Sequence, residues 1–120
     1  MREILFRGKR ADNGEWATSS YPYGTMSSDT MIHDFDHKTI GEYTGMKDGK
    51  GVDIYENDII KNIETWDVAK VKYYPEHGAF MIVWHNEMGA HVGYLGECYM
   101  PIWEIIGNTI DNPELIENKE

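Results

Sequence analysis

The sequence predicts a mostly β protein folded as a small barrel or roll. Three observations carry that expectation. Short apolar runs alternate with polar residues, turn-forming residues recur about every ten positions, and the chain holds four Trp, eight Tyr and three Phe. Alternation at period two gives a strand one buried face. Asn, Asp, Gly and Pro supply the bends. Large aromatics fit a half-buried pleated surface. Many short strands with frequent turns suit a compact barrel or roll.

The elements follow in order. Ile4, Leu5 and Phe6 lie between charges, and Trp16 lies on the returning side of Asn13-Gly14. That dipeptide suits a type I′ turn, so residues 3–21 read as a β-hairpin. Between Tyr21 and Lys38, Pro22, Gly24, Ser27 and Ser28 mark a loop; Thr30-Met31-Ile32 is a short strand candidate, and Asp34 to Lys38 is polar and turn-like. Thr39 to Thr44 reads as a strand, and Lys47 to Gly51 as a turn. Val52 to Tyr55 alternates, Glu56-Asn57-Asp58 interrupts, and Ile59-Ile60 resumes. Asn57 tolerates positive φ, so a tight turn fits there.

Val68 to Tyr74 alternates lysines with apolar residues, Pro75-Glu76-His77-Gly78 turns, and Ala79 to His85 is bulky and apolar. Residues 68–85 therefore form a second hairpin, its return strand central. Asn86 to Gly89 is a turn, His91 to Leu95 a strand, and Ile102 to Asn108 a late strand. Asp111-Asn112-Pro113-Glu114 opens a short helix, with a cap, an early proline and an acid. The tail from Glu117 is expected to fray.

Composition sets the exclusions. A chain of 120 residues suits one domain or two small subdomains sharing a core. Eleven Lys plus Arg against 21 Asp plus Glu give −10, which disfavours a generic nucleic-acid binder. The cationic exception is N-terminal: Arg2, Arg7, Lys9 and Arg10. Cys98 stands alone, so no intramolecular disulfide forms, as suits a cytoplasmic protein. No signal-like leader and no membrane-spanning run is visible.

Three segments together resemble the YopX-like family of bacteriophage and prophage proteins. The first is Met1-Arg2-Glu3-Ile4-Leu5-Phe6-Arg7-Gly8-Lys9-Arg10 with Asn13-Gly14-Glu15-Trp16. The second is Glu42-Tyr43-Thr44-Gly45-Met46-Lys47-Asp48 with Ile54-Tyr55-Glu56-Asn57-Asp58-Ile59-Ile60. The third is Glu104-Ile105-Ile106-Gly107-Asn108 with Asp111-Asn112-Pro113-Glu114-Leu115. Asn57 stands where the family pattern has glycine. The resemblance implies an N-terminal β-hairpin subdomain, residues 1–45, and an SH3-like β-barrel or roll with a short C-terminal helical turn, residues 46–120. It implies a phage-related gene in a bacterial host, and it supplies no reaction or catalytic residue.

His33-Asp34-Phe35-Asp36-His37 offers zinc-type ligands, but its loop-and-strand setting favours a solvent-facing turn. Glu56 and Asp58 form a carboxylate pair better read as turn-fixing acceptors. Gly45, Gly49 and Gly51 lack Walker spacing. Cys98 has no cationic neighbour in sequence to activate it. Trp84 and Trp103 sit in apolar runs and read as core. Trp16, Tyr21, Tyr23 and Trp66 lie near turns and are the candidate partner-binding surface.

These readings give a non-catalytic protein-binding module without cofactor or metal, expected to contact a host or phage protein and to self-associate. The alternatives are a nucleic-acid-interacting or DNA-mimicking module, then a metal-assisted enzyme using His33, Asp34, Asp36 and His37.

Overall fold

The computed structural model describes residues 3–26 and 32–116. The fold is mostly β, with several antiparallel sheets. Its contacts divide the chain into two units, Met1–Tyr43 and Thr44–Glu120.

In the first unit, β1 (Phe6–Lys9) and β2 (Trp16–Ser19) pair antiparallel, Phe6 opposite Ser19 and Lys9 opposite Trp16. The hairpin is as expected, but its turn is not type I′. Gly14 alone in the loop has positive φ, at 73°. Its N–H closes on the Arg10 carbonyl at 2.8 Å, and the Asn13 carboxamide oxygen accepts the Glu15 N–H at 2.9 Å. An Asn side chain that hydrogen-bonds two residues onward mimics a backbone turn, and here the bend spans Arg10 to Glu15. β3 (Gly24–Met26) and β4 (Ile32–Asp34) form a second small hairpin where the sequence read as loop. Thr30 and Met31 of the expected strand, Ser27, Ser28 and the tail from Glu117 lie outside the described residues.

The stretch from Asp34 to Lys38 is a turn whose polar residues Asp34, Asp36, His37 and Lys38 are exposed, as expected, while Phe35 alone departs from that reading. Phe35 is buried, and a Cβ at Gly8 would lie 2.8 Å from its ring. Only glycine lets β1 approach that closely. Asp36 N–H donates to the Lys9 carbonyl at 2.7 Å, and Lys9 N–H donates to Thr39 Oγ1 at 2.8 Å. Main-chain bonding of this kind satisfies the backbone polar groups around the buried Phe35. β5 (Gly41–Lys47) then opens against β1, Gly41 opposite Arg7.

In the second unit the later part of β5 is followed by β6 (Asp53–Tyr55), β7 (Asp58–Asn62), β8 (Val68–Tyr74), β9 (Ala79–Asn86), β10 (Gly89–Tyr94) and β11 (Trp103–Asn108). The last five form one antiparallel sheet in the order β10-β9-β8-β7-β11. The expected 68–85 hairpin is present, and β9 is an interior strand. Ile54, Ile60, Ala69, Val71, Ile82, Leu95 and Trp103 make the core, with Phe80 and Trp84 packed on it. Each fully buried isoleucine contributes about 2–3 kcal/mol of apolar transfer.

The sheet does not close into a barrel among the described residues. Its edge strands β10 and β11 are not paired with each other, because the outer side of β11 is taken by a turn. The Trp103 carbonyl accepts the Gly49 N–H at 2.8 Å, and the Ile105 N–H donates to Asp48 Oδ2 at 3.0 Å. A bulge at Ile106 further bends that edge. At the C-terminus the expected short helical turn is a 3-10 turn, Pro113–Ile116.

Candidate functional site

The turn after β7 is built by one side chain. Asn62, itself buried, accepts the N–H groups of Glu64 and Thr65 on its Oδ1 at 2.9 and 3.0 Å. Its carbonyl accepts the Trp66 N–H, and its own N–H donates to the Asp67 carbonyl, both at 2.8 Å. Thr65 Oγ1 donates to Asp67 Oδ2 at 2.9 Å. This frame holds Trp66 at φ 69°, a left-handed conformation that costs a bulky L-residue about 1–2 kcal/mol. The indole is 71% exposed, so no core packing offsets that strain. Lys61 Nζ sits 3.9 Å from the ring centroid, a cation–π contact. Ile63, in the same turn, is also exposed.

The other three candidate aromatics lie in the first unit. Trp16 on β2 is half-buried, with the Arg7 guanidinium carbon 4.9 Å and Lys9 Nζ 5.5 Å from its ring. Period two puts Arg7 and Lys9 on one face of β1. Tyr21 and Tyr23 are exposed and meet edge to face, centroids 5.4 Å apart. The four residues named from sequence are therefore divided, three in one unit and Trp66 in the other.

An open groove of about 480 Å³ in the second unit is lined by Thr44, Met46, Phe80, Tyr94, Leu95 and Glu97, with Ala79 and Gly96. It is mainly apolar, and its one ionisable carboxylate is Glu97. Beside it, burial and then the charge of Glu97 push the Cys98 thiol up, and its Sγ donates to the Tyr94 carbonyl at 3.5 Å. Those influences favour a protonated thiol over a nucleophilic thiolate.

The ligand-type residues are committed elsewhere. His33 Nδ1 lies 3.0 Å from the Arg10 guanidinium and 3.4 Å from Asp12 Oδ2. The Arg10 hydrogen bond holds the Asp12 carboxyl below its usual range. Asp36 caps the 3-10 turn His37–Thr39 by accepting the Lys38 N–H at 3.1 Å, and His37 is exposed on that turn. Among the described residues no three His, Cys, Asp or Glu side chains gather as a metal site. Asp58 is buried and accepts the Tyr55 N–H at 2.8 Å; Glu56 accepts the Tyr73 N–H at 3.3 Å. Asp58 thus fixes the turn around Asn57, whose φ is 80°, whereas Glu56 reaches across to β8 and does not play the turn-fixing part expected of it. Gly45, within β5, and Gly51, in the β5–β6 turn, have positive φ.

Asp48 escaped the sequence reading as a site, although its turn was foreseen. Its Oδ1 accepts the N–H groups of Lys50 and Val52, both at 2.9 Å, and its Oδ2 accepts Ile105. Burial alone would raise its pKa. The N–H donors of Ile105, Val52 and Lys50, with the Lys50 charge, outweigh burial and hold the carboxyl below its usual range. The only advance signal was an Asp at the start of a glycine-rich turn; its tie to residue 105 is invisible in local sequence.

A family model described as YopX protein matches residues 5–117. No curated protein matches the chain. Among solved structures, the crystal structure of protein EF1440 from Enterococcus faecalis is similar, at 21% identity and TM-score 0.49, over 98% of this chain and 100% of that one.

Proposed function

The chain belongs to the YopX family, and from that premise we propose that it is a non-catalytic protein-binding module anchored by Trp66. One observation carries the reading: a large indole stands 71% exposed on a turn whose backbone is fixed by Asn62. Tryptophan is enriched among the few side chains that dominate interfaces. A pre-fixed anchor loses little conformational freedom on binding. Lys61 beside the ring adds a polar rim. In this reading the five-stranded sheet is an opened SH3-like roll, and the protein is a phage or prophage product acting in the bacterial cytoplasm on a host or phage protein.

The experiment compares the intact protein with Trp66→Ala as baits in bacterial lysate, then titrates any captured partner. The variant is expected to keep its circular dichroism and lose about thirtyfold in affinity, the signature of an anchor of about 2 kcal/mol. Equal capture and equal affinity by both forms would overturn the proposal.

A second reading rests on Arg7 and Lys9 beside the Trp16 ring. Cations plus an aromatic face are what a single nucleic-acid strand needs. The −10 net charge opposes it and favours the DNA-mimicking version, in which an acidic surface occupies a DNA-binding protein. Labelled single-stranded DNA at low salt separates them: anisotropy that rises and then collapses with salt supports contact with DNA, and a flat signal removes it.

A further inference from the structure

The two edges of the five-stranded sheet are treated differently. β11 carries Glu104, has a bulge, and is hydrogen-bonded by the turn holding Asp48 and Gly49. β10 pairs only with β9 among the described strands. Its sequence, Gly89-Ala90-His91-Val92-Gly93-Tyr94, holds no Lys, Arg, Asp, Glu or Pro. Those are the residues that proteins place on edges to prevent strand addition. β9 and β10 are 8 and 6 residues long, so the exposed edge is long enough to template a full strand.

We propose that β10 pairs antiparallel with β10 of a second copy of this chain, about a two-fold axis at Val92. The register follows from the pattern of exposure. Ala90, Val92 and Tyr94 share one face by the period of a strand, and all three are exposed, Val92 at 52% and Tyr94 at 43%. His91 faces the other way and stacks on Trp84, centroids 5.2 Å apart. Centring on Val92 sets it against Val92 of the second copy, and Ala90 against Tyr94 of the second copy. Every cross-strand pair on that face is then apolar. A heteropartner would have to supply a matching uncharged strand; a second copy supplies it by symmetry.

Two features set the strength. A six-residue strand pair buries less than a standard stable interface, so the dimer dissociates on dilution. The −10 charge of each chain and the Glu87 and Glu97 residues flanking β10 repel across the axis, so added salt strengthens the pairing. The surface does not use the Trp66 turn.

The full chain is measured by light scattering and sedimentation from low to high micromolar concentration, at two salt concentrations. A 13.9 kDa monomer passing to twice that mass, more readily at high salt, is expected. Val92→Lys, on an exposed position, is expected to weaken the dimer at least about tenfold by facing two cations at the axis. Val92→Cys in a Cys98→Ser background reads the register: directly opposed strand residues lie within disulfide reach, so mild oxidation should give a crosslinked dimer. A protein monomeric throughout, a dimer untouched by Val92→Lys, or no crosslink from a dimeric Val92→Cys variant would each overturn the proposal.

Discussion

Two turns of the second unit use the same device to opposite ends. At Asp48 a buried side-chain oxygen collects the N–H groups of the next residues, and the second oxygen reaches Ile105 on β11. At Asn62 a buried side-chain oxygen again collects the following N–H groups, but the turn holds Trp66 out in solvent. The first turn closes a sheet edge; the second displays a side chain. The chemistry of the two residues explains the difference. A carboxylate has two acceptor oxygens and can serve two strands at once, whereas an amide has one acceptor.

The largest effect should come from the carboxylate. Asp48→Ala leaves three N–H groups without their acceptor and should cost about 3 kcal/mol or more in urea unfolding. Asp48→Asn is the sharper probe, since its amide places a donor against Ile105 N–H and should recover only part of the loss. Recovery to wild-type stability would show that the link to β11 is unimportant.

Acid tests the same group. Its folded pKa lies below the ordinary 3.8, so the unfolded chain binds more protons as pH falls through that range. The stability from Asp48 is therefore complete above its unfolded value and lost as pH drops toward the depressed folded value. Wild type should lose stability between pH 5 and pH 2 more steeply than Asp48→Asn, by about the single-carboxylate contribution; parallel profiles would contradict the assignment.

A middle effect concerns backbone conformation. Asn57→Ala, at φ 80°, should destabilise by about 1–2 kcal/mol, while Asn57→Gly should be close to neutral. Asn62→Ala should cost a similar amount, about 1–2 kcal/mol, through the two hydrogen bonds lost at its side-chain oxygen. It should also weaken any Trp66-dependent binding, because the frame of the indole is gone. The smallest stability effect belongs to Trp66→Ala, within about 0.5 kcal/mol in thermal unfolding. A large loss there would mean that the indole packs rather than displays.

Much of the strand pattern was legible because it is local. Alternation over 68–74 and the bulky run of 79–85 gave the central hairpin, and Asn57 was recognised as a positive-φ residue from its type alone. Trp66 was singled out for its place near a turn, although its left-handed backbone was not foreseen. The failures arise where distant residues decide. Phe35 read as part of a polar turn, but the missing side chain of Gly8 makes room to bury it. The hairpin of β3 and β4 lay hidden because Gly24 and the short runs around it carry a loop-like composition.

Residue type and spacing alone determined a β-rich chain and most of its bends, since those follow from the periods of neighbouring side chains. Only the tertiary structure decided that the larger sheet stays open, that Asp48 guards one edge, and that β10 has no strand beside it on the other among the described residues. Those outcomes depend on hydrogen bonds between residues as far apart as 48 and 105, and no local pattern encodes which edge a turn will reach.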